Sequence, residues 1–191
     1  MYGQNLEKKL CGCLELREHN INEIMEGVRR MKGFVHIRVD DRLIHGQVAT
    51  RWSMGLKVNR IMVIDDQVAS NETEKSVLRL AAPTGINTSI LPFEKAVSNI
   101  KNGNYDGQRV MLIVKSPETL LQMFEAGVDL LDINIGNMSN RPDTVQYKKS
   151  VSMTEAEKEA TMKLIEEGIK VTAQMVPDDP TVGIQEFFNK K

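Results

Sequence analysis

The sequence predicts an α/β protein: a single open, mainly parallel sheet of about six strands with helices on both faces, plus a small hairpin or loop near residues 138–153. Three observations carry this. Short runs rich in Val and Ile recur from residue 33 onward, apolar throughout, as strands buried on both faces are. The stretches between them are long enough for helices and carry helix-start signals. Strands that alternate with helices of about 10–15 residues need right-handed crossovers, which set successive strands parallel.

The strand candidates, in order, are 34–38, 60–64, 86–91, 109–114, 130–135 and 169–175. Between them, Ser116-Pro117-Glu118 reads as an N-cap, a Pro at the first helical position and an acidic first turn. Gly127 stands where that helix would end. Thr154 and Glu157 form a capping-box pattern. After it Ala156, Ala160 and Leu164 recur at four-residue spacing, with Ile165 beside them, and Gly168 closes the run. The segment 138–153 breaks the alternation. It is polar and holds Arg141-Pro142-Asp143, then two short β-prone pieces at 145–147 and 150–152, which read as a long loop with a small antiparallel hairpin.

Residues 1–30 differ from the rest, being highly charged with scattered apolar positions. Two expectations stand side by side. Met31 begins MKGFVHIRVDD and reads as a start in its own right, preceded by Glu-Gly-Val-Arg-Arg, which purine-rich codons can encode. Alternatively 14–30 is an amphipathic helix with Leu16, Ile21, Ile24, Met25 and Val28 on one side. The chain therefore divides into an N-terminal extension, 1–30, and one domain, 31–191.

The chain has 191 residues, 41% apolar and 27% charged, with a net charge of −1. That is a globular mixture, long enough for one sizeable core. It lacks the basic excess of a nucleic-acid binder. The two cysteines, Cys11 and Cys13, make a poor metal site and read as reduced thiols. No apolar stretch nears the ~20 residues of a membrane span, and no secretory leader is recognisable, so the expected compartment is the cytoplasm.

The chemistry concentrates in Arg38-Val39-Asp40-Asp41-Arg42-Leu43-Ile44-His45-Gly46-Gln47-Val48, which follows the first strand and leads into a helix. In an open α/β sheet this junction lies at the carboxyl edge, where ligands bind. Histidine, with an ordinary pKa of about 6.5, offers a free ring-nitrogen lone pair near neutral pH. Arginine keeps its charge and can grip two phosphate oxygens at once. Phosphoryl transfer passes through a loose transition state, so positioning and positive charge do most of the work. Gly46 would let the chain approach a phosphate, and the helix start would aim free N–H groups at it. The ordinary reading is that a histidine near a helix start is a surface residue and that Asp40 and Asp41 merely satisfy Arg38 and Arg42. On spacing alone both readings stay open. His36, in mid-strand, and His19 read as structural or incidental.

This eleven-residue string closely resembles the signature of the mannose/sorbose family of IIB proteins of the bacterial sugar phosphotransferase system. The resemblance extends to RIMVIDDQVA at 60–69, to Lys115-Ser116-Pro117 and to Asn134-Ile135-Gly136-Asn137-Met138, and covers about residues 33–188. It implies a protein-phosphohistidine–sugar phosphotransferase. His45 would accept a phosphoryl group from a phosphohistidine of a separate IIA protein and pass it to a sugar held by the membrane subunits IIC and IID. Arg38 and Arg42 would be the catalytic, phosphate-binding arginines. Asp40 would orient Arg42, and Gln47 would contact phosphate or ring. Gly46, Lys115, Ser116 and Gly136 would support the site. No metal and no cofactor is implied. The chain would work on the inner face of the membrane through the permease, bind no nucleic acid, and leave a homodimer open. Mannose, fructose, sorbose and N-acetylgalactosamine all occur as sugars in the family.

Several readings remain beside these. Asp65-Asp66 reads first as an acidic helix start and second as a Mg²⁺ or phosphate site. Ser116 reads equally as an N-cap, and Trp52 as packing beneath the loop. A phosphate- or nucleotide-binding regulatory module is the alternative function, disfavoured by the missing Gly-rich dinucleotide fingerprint. A carrier should show an exposed His45 in a positive ring, with Arg38, Arg42, Arg51 and Arg141 or Lys148 and Lys149 as contributors, offset by the Glu-rich stretch 155–167.

Overall fold

The computed structural model describes residues 31–188, with Gln47 and Val48 as backbone only. The expected extension 1–30, its alternative helix, Cys11, Cys13 and His19 lie outside the described residues.

From Met31 the chain runs β1 (Phe34–Asp40), α1 (Gly46–Gly55), β2 (Arg60–Ile64), α2 (Asp66–Ser70), α3 (Glu72–Ala81), β3 (Asn87–Leu91), α4 (Phe93–Lys101), β4 (Val110–Val114), α5 (Pro117–Glu125), β5 (Ile133–Asn137), β6 (Val145–Lys148), β7 (Val151–Met153), α6 (Glu155–Glu166), β8 (Val171–Ala173), β9 (Val182–Gly183) and α7 (Gln185–Phe188). The main sheet has the order β3-β2-β4-β1-β5-β8-β9. Its first six strands pair parallel, and β9 joins the β8 edge antiparallel. The segment 138–153 holds the small antiparallel hairpin β6–β7.

Crossover handedness decides which face each helix takes. From β1 through β2 to β3 the chain steps towards one edge, so α1, α2 and α3 share a face; Trp52, Val68 and Leu78 pack there with Ile61 and Ile113. From β3 the chain steps back through β4 and β5 to β8, so α4, α5 and α6 lie on the opposite face; Ala96, Leu120 and Leu164 pack there with Met62 and Leu112. The central strand β4 is buried along its whole length. Each large aliphatic side chain removed from water there contributes about 1.5–3 kcal/mol, which is why an all-apolar strand sits at the centre.

The helix signals hold in detail. Ser116 caps α5, Pro117 opens it, and Thr154 with Glu157 forms a capping box on α6. Two differences from expectation have local causes. The Asn71 side chain caps α3 within the stretch between β2 and β3, dividing it into two helices. The strand expected over 169–175 is only Val171–Ala173, and β9 was not anticipated, because a two-residue strand containing Gly183 carries no periodicity.

The loops after β1, β2, β4, β5 and β8 all open at the carboxyl edge. The helices leaving β1 and β2 and the helix leaving β4 turn to opposite faces, which opens the edge beside β4, the usual place for a ligand in this architecture.

Candidate functional site

The β1–α1 loop is fixed from below by its own apolar residues. Leu43 and Ile44 are buried, and the Leu43 N–H donates to the Asp40 carbonyl at 2.9 Å. Leu43 takes φ +60, a conformation that costs a non-glycine residue about 1–2 kcal/mol. Burying Leu43 and Ile44 offsets this and turns the next residue, His45, outward, where it is exposed. Asp41 ties the loop to the chain after β5: Asn137 Nδ2 donates to Oδ1 and the Ser139 N–H to Oδ2, both at 2.7 Å. Burial by itself would raise the Asp41 pKa, but these hydrogen bonds outweigh it and hold the carboxyl below its ordinary range.

His45 is the N-cap of α1, with extended backbone (φ −132, ψ 108) and no side-chain cap bond. No acidic residue stands in the first turn. The first-turn N–H groups have no intrahelical partners, so the helix start beside the imidazole is an uncompensated positive pole. Gly46 has φ +33, and a Cβ there would meet no atom within 4 Å. Its glycine serves the turn, and the space above it is open. Gln47 continues the helix; its side chain lies outside the described residues.

Beneath the loop, Asp40 is almost fully buried and accepts five hydrogen bonds: from Nε and Nη2 of Arg38, and from the backbone N–H, Nε and Nη2 of Arg42. Three of the five come from Arg42, whose guanidinium Asp40 thereby holds. Arg42 is partly exposed, and its Nη1 has no partner among the described residues. Its hydrogen bonds to Asp40, the largest influence, raise its pKa.

Arg38 departs from expectation. Only 2% of it is exposed, and all its nitrogens are committed. Besides Asp40 it donates to Asn134 Oδ1 at 2.6 Å, the Gln174 carbonyl at 3.3 Å and the Met175 carbonyl at 3.1 Å. A guanidinium with every donor used and no access to solvent cannot grip a phosphate. Arg38 is a buried hub joining β1, β5 and the chain after β8. Gly136, expected to line the site, serves that hub: a Cβ there would fall on the Arg38 guanidinium. Trp52 lies under the same hub, its Nε1 donating to the Met175 carbonyl at 3.1 Å. The His36 ring stacks on Trp52 at 4.5 Å between centroids, and Arg38 Cζ lies 5.5 Å from the indole centroid. Burial, reinforced by Arg38, pushes the His36 pKa down to about 4.

The other expected residues also have other work. Ser116 accepts from the Glu118 N–H and donates to Glu118 Oε2, as the N-cap of α5. Lys115 pairs with Asp65 at 2.8 Å, and Asp65 caps α2, as the acidic helix start had suggested. The positive ring is thinner than expected: Arg51 pairs with Asp178, Arg141 with Glu157, and Lys148 donates to the Ala173 carbonyl. Among the described residues, no group of three or more His, Cys, Asp or Glu could hold a metal ion, and no helix is long and apolar enough to cross a membrane. Sequence reasoning missed Asn134 and Gln174 as supports of the arginine hub. Asn134 stood in a string that was noticed; Gln174 carried no signal.

A family profile described as "PTS system sorbose subfamily IIB component" matches residues 34–191. The sorbose-specific EIIB component of Klebsiella pneumoniae is 37% identical over 153 residues, covering 80% of this chain and 93% of that protein. The mannose-specific EIIAB component of Escherichia coli (strain K12) is also 37% identical over 153 residues, which cover 80% of this chain and 47% of that protein. The chain thus spans about half the length of this EIIAB relative. Among solved structures, the IIBSor domain of the sorbose permease from Klebsiella pneumoniae superposes with a TM-score of 0.78 at 36% identity, covering 82% of this chain and 96% of that one.

Proposed function

Because the chain belongs to the sorbose subfamily of phosphotransferase-system IIB components, we propose that His45 is the residue on which it carries the phosphoryl group. One observation supports this above the others: an exposed imidazole stands at a helix start that no side chain caps, in the same loop as an arginine held in place by a buried carboxylate. The ring nitrogen attacks phosphorus as the phosphorus–nitrogen bond of the donor's phosphohistidine breaks, so the donor histidine regains its lone pair. The incoming oxygens lie against the Arg42 guanidinium and the first N–H groups of α1, both in place before charge develops. A partly exposed Arg42 can still turn its free Nη1 to the anion, while Asp40 fixes the plane of its fork. Asp40 is itself balanced from below by Arg38, so it does not cancel the charge of Arg42 one for one.

The donor in this reading is a IIA protein, and the acceptor is a sugar presented by IIC and IID at the inner face of the membrane. Residues 31–191 form the carrier domain. Named relatives serve sorbose and mannose, and a hexose of that kind is the proposed final acceptor. Incubation with phosphoenolpyruvate, the general phosphotransfer proteins and IIA should give one acid-labile, base-stable phosphate per chain. A chain that takes up no such label would contradict the reading.

A further inference from the structure

Beside the β1–α1 loop the surface dips into a groove of about 250 Å³ that joins the loop to α2 and α3. Leu43, Val68, Val77 and Leu78 supply its apolar lining, and Arg42 and Lys115 line it as well. Two acidic side chains also reach it, Asp41 and Glu74. Asp41 has both oxygens committed to Asn137 and Ser139, and Glu74 accepts from Asn71. Val77 is 60% exposed, and three residues further along α3 Leu80 is 87% exposed. Residues at that spacing are neighbours on a helix surface. Val77 and Leu80 thus form an exposed apolar pair on α3, continuous with the groove at Val77.

We propose that this groove and the Val77–Leu80 face of α3 are where the phosphorylated donor protein docks, seating an apolar side chain while its phosphohistidine lies over Arg42. The inference rests on the carrier reading of His45. Two arguments point to the donor and not to the membrane acceptor. The groove runs into Arg42, so a protein holding a phosphoryl group against that side chain must cover it. The donor also arrives carrying the phosphate's negative charge and gains from Arg42, whose Nη1 has no partner among the described residues, whereas the acceptor presents a neutral sugar hydroxyl to a phosphate already in place; Lys115 is already paired with Asp65.

The test uses the full chain carrying Val77→Gln and Leu80→Gln, substitutions that keep a good helix former at exposed positions. Three rates are compared with the parent: uptake from phosphorylated cognate IIA at limiting IIA, uptake from the small donor phosphoramidate, and transfer from the phosphorylated chain to sugar in vesicles holding IIC and IID. The expected result is a fall of about tenfold or more in the first rate, the loss seen when side chains central to a protein interface are removed, with the other two unchanged. Parent-like uptake from IIA would overturn the proposal, as would an equal loss with phosphoramidate or a loss confined to the vesicle step. Failure of the parent chain to label His45 from either donor would overturn the carrier reading itself, and the groove with it.

Discussion

Asp40 holds Arg42 by two hydrogen bonds, Nε to Oδ1 at 2.9 Å and Nη2 to Oδ2 at 3.0 Å, leaving Nη1 as the outward donor. Replacing Arg42 with Ala should therefore slow phosphoryl uptake by about 10²–10³-fold, the scale of losing one preorganised transition-state donor. Lys should restore only part, since a point charge lacks the fork. Arg42→Ala takes two hydrogen bonds from the buried Asp40 but leaves Arg38 paired with it, so unfolding free energy should fall by about 1–3 kcal/mol. Rapid-quench uptake and a urea titration of the same sample measure both, and full activity in Arg42→Ala would place the positive charge elsewhere.

Arg38 should show the opposite signature. Arg38→Met strips a buried carboxylate of one of its two cations, takes the donor from Asn134 Oδ1 and leaves the Gln174 and Met175 carbonyls with one donor each in place of two. Breaking a buried pair in this way costs about 3–5 kcal/mol. Urea unfolding of Arg38→Met should reveal that loss before any assay of transfer is interpretable. A variant as stable as its parent would show that the hub does not hold the loop.

Gly136 reports on the same hub from the other side. Its backbone has no left-handed requirement, so Gly136→Ala tests space alone. The added methyl displaces the Arg38 guanidinium, with an expected cost of about 1–3 kcal/mol from overpacking. Thermal or urea unfolding measures it, and an unchanged midpoint would mean that Arg38 can move freely.

His36 predicts a pH dependence of stability. Its Nε2 is buried with no hydrogen-bond partner among the described residues, and its pKa falls from 6.5 to about 4 on folding. Between those values the unfolded chain binds a proton that the folded chain does not. The folded state is thus unpenalised above about pH 6.5, loses stability as pH falls through the window, and loses no more below about pH 4. The total is on the order of 3 kcal/mol. His36→Phe keeps a ring against Trp52 and removes the proton, so its stability should fall less than the parent's between pH 7 and 4. Parallel curves would contradict this origin.

The six parallel strands, the caps at Ser116 and Thr154 and the position of His45 were legible because each rests on local pattern: apolar runs, capping residues and a charged strand-to-helix junction. The role of Arg38 was not, because an arginine two residues before an aspartate looks the same in sequence whether it faces solvent or the core. Only the return of β5 and the chain after β8 to β1 places Asn134, Gln174 and Met175 around it. That Gly136 makes room for the Arg38 guanidinium was not legible for the same reason: the glycine's partner lies 98 residues away in sequence. Lys115 and Arg141 looked like free cations, and carboxylates distant in sequence, Asp65 and Glu157, engage them.

The central claim is the identity of the phosphorylated atom's owner. The parent chain and His45→Ala are incubated with phosphoenolpyruvate, the general phosphotransfer proteins and IIA, and the phosphate is located by mass spectrometry under alkaline conditions. One phosphate is expected on His45 in the parent and none in His45→Ala, with both unfolding at the same urea concentration because His45 is exposed. Phosphate uptake by His45→Ala at the parent's rate would contradict the claim.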